Sequence, residues 1–302
     1  MRNLVISVIG PTAVGKTSLG VKIANKYNGE IISADSRQVY KGMDIGTGKD
    51  LNEYIIDGKR IPAHLIDIVS PQEEFNLFMF LTEFNKAVKK IEDAGKLPIL
   101  VGGTGLFLHA VFNRYKLNKA EFDQTKIDKL KKLADDELRK RLIDLAPHQH
   151  NTTDLLERER IIKAILIAEA ADADFIEPPA LNFVNLCILP DRKIIRKRID
   201  ARLNKRLQNG MVEEVERLIE QGVSYERLER FGLEYRYIAL YLQGKLNYND
   251  MRQKLASAIK RFAKRQITWI RKFEKEGIII HYLDSPDFEK AEKIIDPELQ
   301  LS

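Results

Sequence analysis

Short apolar runs alternate with longer amphipathic stretches along the first third of the chain. Leu4-Val5-Ile6-Ser7-Val8-Ile9 is rich in β-branched residues and predicts a buried strand. Glu30-Ile31-Ile32-Ser33-Ala34-Asp35 predicts a second strand. His64-Leu65-Ile66-Asp67-Ile68-Val69, closed by Ser70-Pro71, predicts a third. Leu97-Pro98-Ile99-Leu100-Val101-Gly102-Gly103 predicts a fourth. Residues 18–24 read as the first turns of a helix, 77–94 as an amphipathic helix ended by Gly95, and a further helix lies near 106–112. Apolar strands separated by helices predict an α/β fold with a parallel sheet covered by helices on both faces. In such sheets ligands sit at the carboxyl ends of the strands.

Residues 116–182 differ in character. They are charged, helical by pattern and without a convincing strand, which predicts a helical insertion domain. It is entered through Lys116-Leu117-Asn118 and left through Glu177-Pro178-Pro179. The core domain is then 1–115 with 183–302. Residues 183–190 return to the sheet, 191–275 are mostly helix, and Gly277-Ile278-Ile279-Ile280-His281-Tyr282 predicts one last strand. The single cysteine, Cys187, lies in an apolar run and is expected at a buried strand position. No apolar stretch approaches the roughly 18–20 residues that span a bilayer. The chain enters its first strand within three residues of Met1, leaving no room for a signal peptide, so a cytoplasmic protein is expected.

One motif defines the chemistry. Gly10-Pro11-Thr12-Ala13-Val14-Gly15-Lys16-Thr17 is a complete phosphate loop between a strand and a helix. That placement aims backbone N–H groups and a helix N-terminus at a phosphate. Lys16 would neutralise phosphate oxygens, and the Thr17 hydroxyl would ligate Mg²⁺. The fold expected is that of the P-loop NTPases. The loop implies a bound polyphosphate and leaves open which one.

The other strand ends carry polar residues. The second strand runs into Asp35-Ser36-Arg37-Gln38. Asp35 is placed either to cap the following segment or to take a proton or hold Mg²⁺. The fourth runs into Gly102-Gly103-Thr104-Gly105, which is either a glycine turn or a close approach to ligand with a Thr104 hydroxyl beside it. Asp67 fits either a Walker-B-like acid or a structural hydrogen bond. The net charge of +6 is unevenly placed. Basic residues crowd 192–206, and Arg261, Lys264, Arg265 and Lys272 surround the only tryptophan, Trp269, at helical spacing on one face. Such a face serves as a solvated surface or as a contact for RNA or substrate phosphates.

These segments, together with Met43-Asp44-Ile45-Gly46-Thr47 and Ala263-Lys264-Arg265-Gln266-Ile267-Thr268-Trp269, resemble in order the tRNA dimethylallyltransferases, the bacterial tRNA isopentenyltransferases. The resemblance runs from residue 4 to about 275. It implies transfer of a dimethylallyl group from dimethylallyl diphosphate to N6 of the adenosine 3′ of the anticodon, with diphosphate released. By that resemblance the loop 10–17 holds the diphosphate with Arg198 and Arg202, aided by Mg²⁺ on Thr17. Asp35 is the general base, with Lys16, Thr17 and Thr104 beside it. Ser36, Arg37, Gln38 and Thr104 contact the flipped base, and the insertion grips the anticodon stem-loop through Glu159, Arg160, Ile161, Ile162 and Lys163. Arg261, Lys264, Arg265 and Trp269 are implied as further RNA contacts. A monomer is expected.

The chain departs from the family pattern in places. Gly-Thr-Ala-Lys-Pro becomes Gly46-Thr47-Gly48-Lys49-Asp50. Pro-Asn-Asp becomes His150-Asn151-Thr152-Thr153-Asp154, and Lys163 stands for a customary Arg. Gly-Ile-Gly-Tyr-Lys-Glu becomes Gly232-Leu233-Glu234-Tyr235-Arg236-Tyr237. A diverged second copy with altered RNA preference is therefore one alternative. A phosphate-loop kinase of a nucleotide or small metabolite and a non-catalytic RNA-binding protein are others.

Overall fold

The computed structural model describes residues 3–119, 123–145, 157–170 and 175–301. The departure at 150–154 lies outside them. In chain order the elements begin with β1 (Leu4–Ile9), α1 (Lys16–Lys26), β2 (Gly29–Ala34), a hairpin of β3 (Ile55–Ile56) and β4 (Lys59–Arg60), and β5 (Ala63–His64). Next come α2 (Leu77–Asp93), β6 (Leu97–Gly102) and α3 (Gly105–Phe112). Then follow β7 (Leu117–Asn118), α4 (Gln124–Leu130), α5 (Asp135–Leu145), α6 (Arg158–Glu169) and β8 (Phe175–Ile176). The chain continues through β9 (Asn182–Ile188), α7 (Arg192–Gln208), α8 (Met211–Glu220), α9 (Tyr225–Phe231) and α10 (Leu233–Leu242). It closes with α11 (Tyr248–Lys275), β10 (His281–Leu283) and α12 (Phe288–Leu301).

The chain divides into two compact units, 1–113 with 179–302, and 114–178. The larger unit is built on a six-stranded parallel sheet of order β10-β9-β1-β6-β2-β5. Every residue of β1, β2 and β6 is buried. Side chains alternate between faces along a strand, so unbroken burial requires helices on both sides. This is the P-loop NTPase-like α/β arrangement expected, with the phosphate loop leaving the interior strand β1.

Two strand predictions need correction. Of the run 64–69 only His64 joins the sheet, as the end of β5, because Leu65 and Asp67 take left-handed backbone at φ 60° and 55°. Val69 rejoins only as a bridge to Tyr40. The last strand is His281–Leu283, and Ile279 before it is 73% exposed.

The smaller unit packs α4, α5 and α6 around Leu130, Leu138, Leu142, Ile161, Ile162, Ile165 and Leu166. The segment read as strandless contains an antiparallel ladder in which Leu117 faces Ile176 and Asn118 faces Phe175. The Lys116 ammonium sits 3.9 Å from the centre of the Phe175 ring.

Candidate active site

The phosphate loop and two neighbouring strand ends enclose two adjoining cavities. The first, about 120 Å³, is lined by Thr12 to Thr17 of the loop with Asp35, Gln38, Asp50, Glu53, Tyr54 and Arg202. The second, about 240 Å³, is lined by Asp35, Ser36, Arg37, Thr104, Phe262, Arg265, Gln266 and Trp269 among others. Thr12, Asp35, Thr47 and Arg202 line both, so they form the boundary between them.

The first cavity is a cationic cradle. Lys16 Nζ donates to the Pro11 carbonyl at 2.8 Å. Burial, reinforced by the Arg202 charge and opposed by Asp35 and Cys187, brings its ammonium down to about 8. Arg202 is likewise brought down to about 10, by burial first and then by Arg206. Arg202 donates from Nη2 to Thr12 Oγ1 and so touches the loop directly. Arg198, implied as its companion, lines neither cavity and reaches the Val14 carbonyl at 3.5 Å. Cys187 is fully buried in β9, its thiol pushed up to about 12 chiefly by burial.

Asp35 caps the segment after β2 and also lines both cavities. Oδ1 accepts the Arg37 N–H at 2.9 Å, which caps the turn, while the carboxylate faces the boundary of the two cavities. Thr104 Oγ1 accepts the Ser36 N–H at 3.0 Å, tying the ends of β2 and β6 together on the second-cavity side. Gln38, grouped with Ser36 and Arg37 by its motif, lines only the first cavity, and its Oε1 accepts from Ser33 Oγ at 2.9 Å.

The glycine turn 102–105 makes room for protein. A Cβ on Gly105 would lie 2.2 Å from the Trp269 ring, so the indole packs flat on the backbone there. Trp269 in turn meets His109 edge-on at 5.3 Å between ring centres. Beside it Gln266, 7% exposed, takes the Thr12 N–H on Oε1 at 2.8 Å and gives Nε2 to the Gly103 carbonyl at 2.8 Å.

The predicted basic face of α11 is split. Arg265 and Trp269 line the second cavity. Arg261, Lys264 and Thr268 line a separate groove of about 250 Å³ with Arg192, Arg196 and Arg271 over an Ile195, Ile199 and Ile267 floor. Helical steps of three and four place 261, 264 and 268 on one stripe and 262, 265 and 269 on the next, and α7 runs beside the first, whose three residues stay exposed. In the smaller unit Ile161 and Ile162 are 1% and 3% exposed and belong to its own core, so neither is placed to touch RNA. Glu159, Arg160 and Lys163 are exposed.

Several site residues have no motif of their own. Glu214, 2% exposed, accepts the N–H groups of Asp44, Ile45 and Gly46 at 2.8, 2.6 and 3.0 Å, and the Tyr235 hydroxyl at 2.8 Å. That carboxylate shapes the loop that brings Thr47 to both cavities. Burial and Glu214 hold the Tyr235 hydroxyl well above its ordinary pKa. Lys49, buried, pairs with Asp67 and with Asp44 and donates to the Tyr40 carbonyl at 2.7 Å. Asp67 is thereby a structural partner and lines neither cavity. Gln266 was visible inside its motif, but its partners, 254 and 163 residues away, were not.

Among the described residues no group of three His, Cys, Asp or Glu side chains forms a metal cage. The Thr17 hydroxyl and the Asp35, Asp50 and Glu53 carboxylates nevertheless line the first cavity. That sparse oxygen set fits Mg²⁺, which keeps much of its shell as water and phosphate oxygens. Glu53 is raised above the ordinary carboxylate range by burial and by Asp50, against the pull of Arg202 and Arg206.

The chain is similar to known proteins in both sequence and fold. Residues 38–273 match the IPP transferase family. The chain is 50% identical over 296 residues to tRNA dimethylallyltransferase 1 of Geotalea uraniireducens (strain Rf4), covering 97% of each chain. Its fold is similar to the full-length tRNA isopentenylpyrophosphate transferase of Bacillus halodurans, with TM-score 0.69 and 29% identity over 99% of this chain and 96% of that one. It is also similar to a eukaryotic dimethylallyltransferase acting on tRNA, with TM-score 0.76 and 25% identity over 99% of this chain and 78% of that one. A family match over most of the chain, together with a near full-length relative that also spans the phosphate loop, places this chain in the IPP transferase family.

Proposed function

We propose that this chain transfers the dimethylallyl group of dimethylallyl diphosphate to N6 of the adenosine 3′ of the anticodon in tRNA, releasing diphosphate. The observation that carries the reading is Asp35 on the wall shared by a phosphate-loop cavity and an aromatic, arginine-lined cavity. A base there meets a nucleophile in one cavity and an electrophile in the other. Family membership supports prenyl transfer over the kinase alternative.

The diphosphate sits on the loop N–H groups, Lys16 and Arg202. The allylic C–O bond breaks, its electron pair leaves with the diphosphate, and these cations hold the charge that develops. The flipped adenine enters the second cavity, where its N6 forms the new C–N bond and the proton passes to Asp35. An exocyclic amine is a weak nucleophile, so alignment by Thr104, Ser36 and the Trp269 wall supplies much of the rate. Mg²⁺ held by Thr17 would add Lewis-acid neutralisation of the leaving diphosphate. Arg198 supports the loop from outside the cavities. The smaller unit is assigned to the anticodon arm through exposed Arg160 and Lys163, and the groove of Arg261 and Lys264 to RNA phosphates. Among the described residues no helix is long and apolar enough to cross a membrane. The reading takes the protein as a cytoplasmic monomer.

The test supplies labelled dimethylallyl diphosphate and Mg²⁺ with unmodified tRNA, with AMP, or with ATP in place of the prenyl donor. Label is expected in tRNA alone. Label in neither acceptor, with phosphate transfer from ATP, overturns the proposal.

A further inference from the structure

Tyr54 is 3% exposed and ends a single 3₁₀ turn, Leu51–Tyr54. That turn follows directly on Gly48-Lys49-Asp50, where the chain departs from the family pattern. The segment is fixed at both ends. Buried Lys49 donates to the Tyr40 carbonyl at 2.7 Å and pairs with Asp67. The Ile61 N–H returns to the Tyr54 carbonyl at 2.8 Å and closes the base of the β3–β4 hairpin. Between these anchors the Leu51 and Glu53 N–H groups donate to the Lys49 and Asp50 carbonyls at 3.0 and 2.9 Å. The turn packs on α1, the helix that begins at Lys16 of the phosphate loop.

The Tyr54 ring belongs to the main core, but among the described residues its hydroxyl has no hydrogen-bond partner. Nor is that oxygen sealed into the interior. Tyr54 lines the first cavity, so the cavity is where the hydroxyl opens. Buried hydroxyls are normally bonded, and one left open on a cavity is complementary to what the cavity holds. Asp50 and Glu53, which reach the same cavity from this turn, are carboxylates. Tyr54 is the residue of the turn that brings the cavity a donor. Burial first, then the Glu53 and Asp35 charges, hold its hydroxyl well above the ordinary tyrosine range, so it keeps its proton.

We propose that the Tyr54 hydroxyl donates a hydrogen bond to an oxygen of the diphosphate, as a binding residue supplied from outside the phosphate loop. This rests on the prenyl-transfer reading for the identity of the ligand. Lys16 and Arg202 attract a polyanion by charge, whereas a neutral hydroxyl adds direction, since it is satisfied only by an oxygen placed along its own O–H. The hydroxyl gains from the diphosphate the partner it lacks in the empty protein. A structural role and a ligand-binding role therefore predict opposite results when the oxygen is removed. A hydroxyl bonded within the protein stabilises the empty fold, and its loss lowers the melting temperature. An unbonded one leaves the empty fold as stable or more so, and its loss registers only on the ligand.

The experiment compares Tyr54→Phe with wild type by thermal unfolding and by calorimetric titration with inorganic diphosphate in the presence of Mg²⁺. The ligand-free variant is expected to melt at or above the wild-type temperature. Diphosphate is expected to bind it about tenfold more weakly, the loss of one hydrogen bond to a charged group. The kcat/KM for dimethylallyl diphosphate should fall in the same proportion, with stem-loop affinity within about twofold of wild type. A diphosphate affinity reduced by less than about threefold overturns the assignment. So does a ligand-free variant that fails to fold or melts about 2 °C or more below wild type, which makes the hydroxyl a structural partner. The titration needs no turnover, so a wild-type protein that transfers no label overturns the prenyl-transfer reading alone, and calorimetry still decides the Tyr54 contact.

Discussion

Gln266 Oε1 accepts the Thr12 N–H at 2.8 Å, joining the phosphate loop to a helix 254 residues away. Its amide nitrogen completes the bridge to the Gly103 carbonyl at 2.8 Å. One side chain on α11 thus sets the spacing between the two strand ends that carry the site, and it withdraws one loop N–H from the phosphate. Gln266→Met keeps the bulk and leaves both backbone groups buried without partners, at about 1–3 kcal/mol each. We expect a lower melting temperature and a KM for dimethylallyl diphosphate raised about tenfold, the equivalent of about 1.4 kcal/mol. Unchanged KM and melting temperature in steady-state kinetics and thermal unfolding would remove Gln266 from this role.

That bridge also marks where reading the chain alone stops. The phosphate loop, Asp35 at the end of β2 and the Gly102–Gly105 turn are local patterns, and each stands at the carboxyl edge of the sheet as its motif implies. The failures are tertiary. Apolar spacing at 64–69 reads as strand, yet Lys49, reaching across from another loop, holds Asp67 in a conformation a strand excludes. The basic positions of α11 follow helical steps correctly, but only the packing of α7 decides that Arg261 and Arg265 face different cavities. Glu214, one of four glutamates in an amphipathic helix, gives no sign that three backbone N–H groups 168 to 170 residues away converge on it.

Asp35→Asn isolates proton transfer from structure. The amide oxygen still accepts the Arg37 N–H, so the turn and the cavity boundary survive. Loss of the base is expected to cost about 10²–10⁴ in kcat, with stem-loop affinity within about threefold of wild type. Rapid-quench turnover and filter binding on the same preparation measure both. Near-normal turnover with weakened binding would make Asp35 a positioning residue.

Glu214 and Tyr235 provide a graded pair. Glu214→Ala leaves the buried Gly46 N–H, the part-buried Asp44 and Ile45 N–H groups and the Tyr235 hydroxyl unpaired, and is expected to destabilise the protein by about 3–5 kcal/mol, as breaking a largely buried hydrogen-bond network does. Tyr235→Phe removes a single donor and should cost about 0.5–1.5 kcal/mol. Urea unfolding of both variants tests the order, and equal effects would contradict it.

The two stripes of α11 separate by salt dependence. Arg261 and Lys264 line an open groove with Arg192, Arg196 and Arg271, so each is expected to act as a phosphate contact. Removing either should reduce the slope of log K against log salt by about 0.7–0.9 and leave kcat at saturating tRNA unchanged. Arg265, over Phe262 in the second cavity, should instead lower kcat when replaced by Ala. Identical slopes in the Arg261→Ala variant and wild type would return that groove to the solvated surface.

Lys16 makes diphosphate binding pH-dependent in a defined direction. Its ammonium titrates near 8 in the free protein, below its ordinary 10.5, because it is buried and faces Arg202. An anion in the cradle favours the charged form, so binding above pH 8 must take up a proton. The affinity is therefore flat below about pH 8 and falls by up to about tenfold per unit above it. Calorimetry in buffers of different ionisation enthalpy should show proton uptake at pH 8.5 and little at pH 6.5. The same shift acts on stability with the opposite slope. Between about 8 and 10.5 the unfolded chain holds more protons on this group than the native one, so the contribution of Lys16 raises the stability of the ligand-free protein as pH increases through that window. Lys16→Met should abolish the proton uptake and flatten the affinity profile, at the cost of weaker diphosphate binding at pH 7. A wild-type affinity unchanged from pH 7 to 9.5 would mean that Lys16 does not titrate in the cradle.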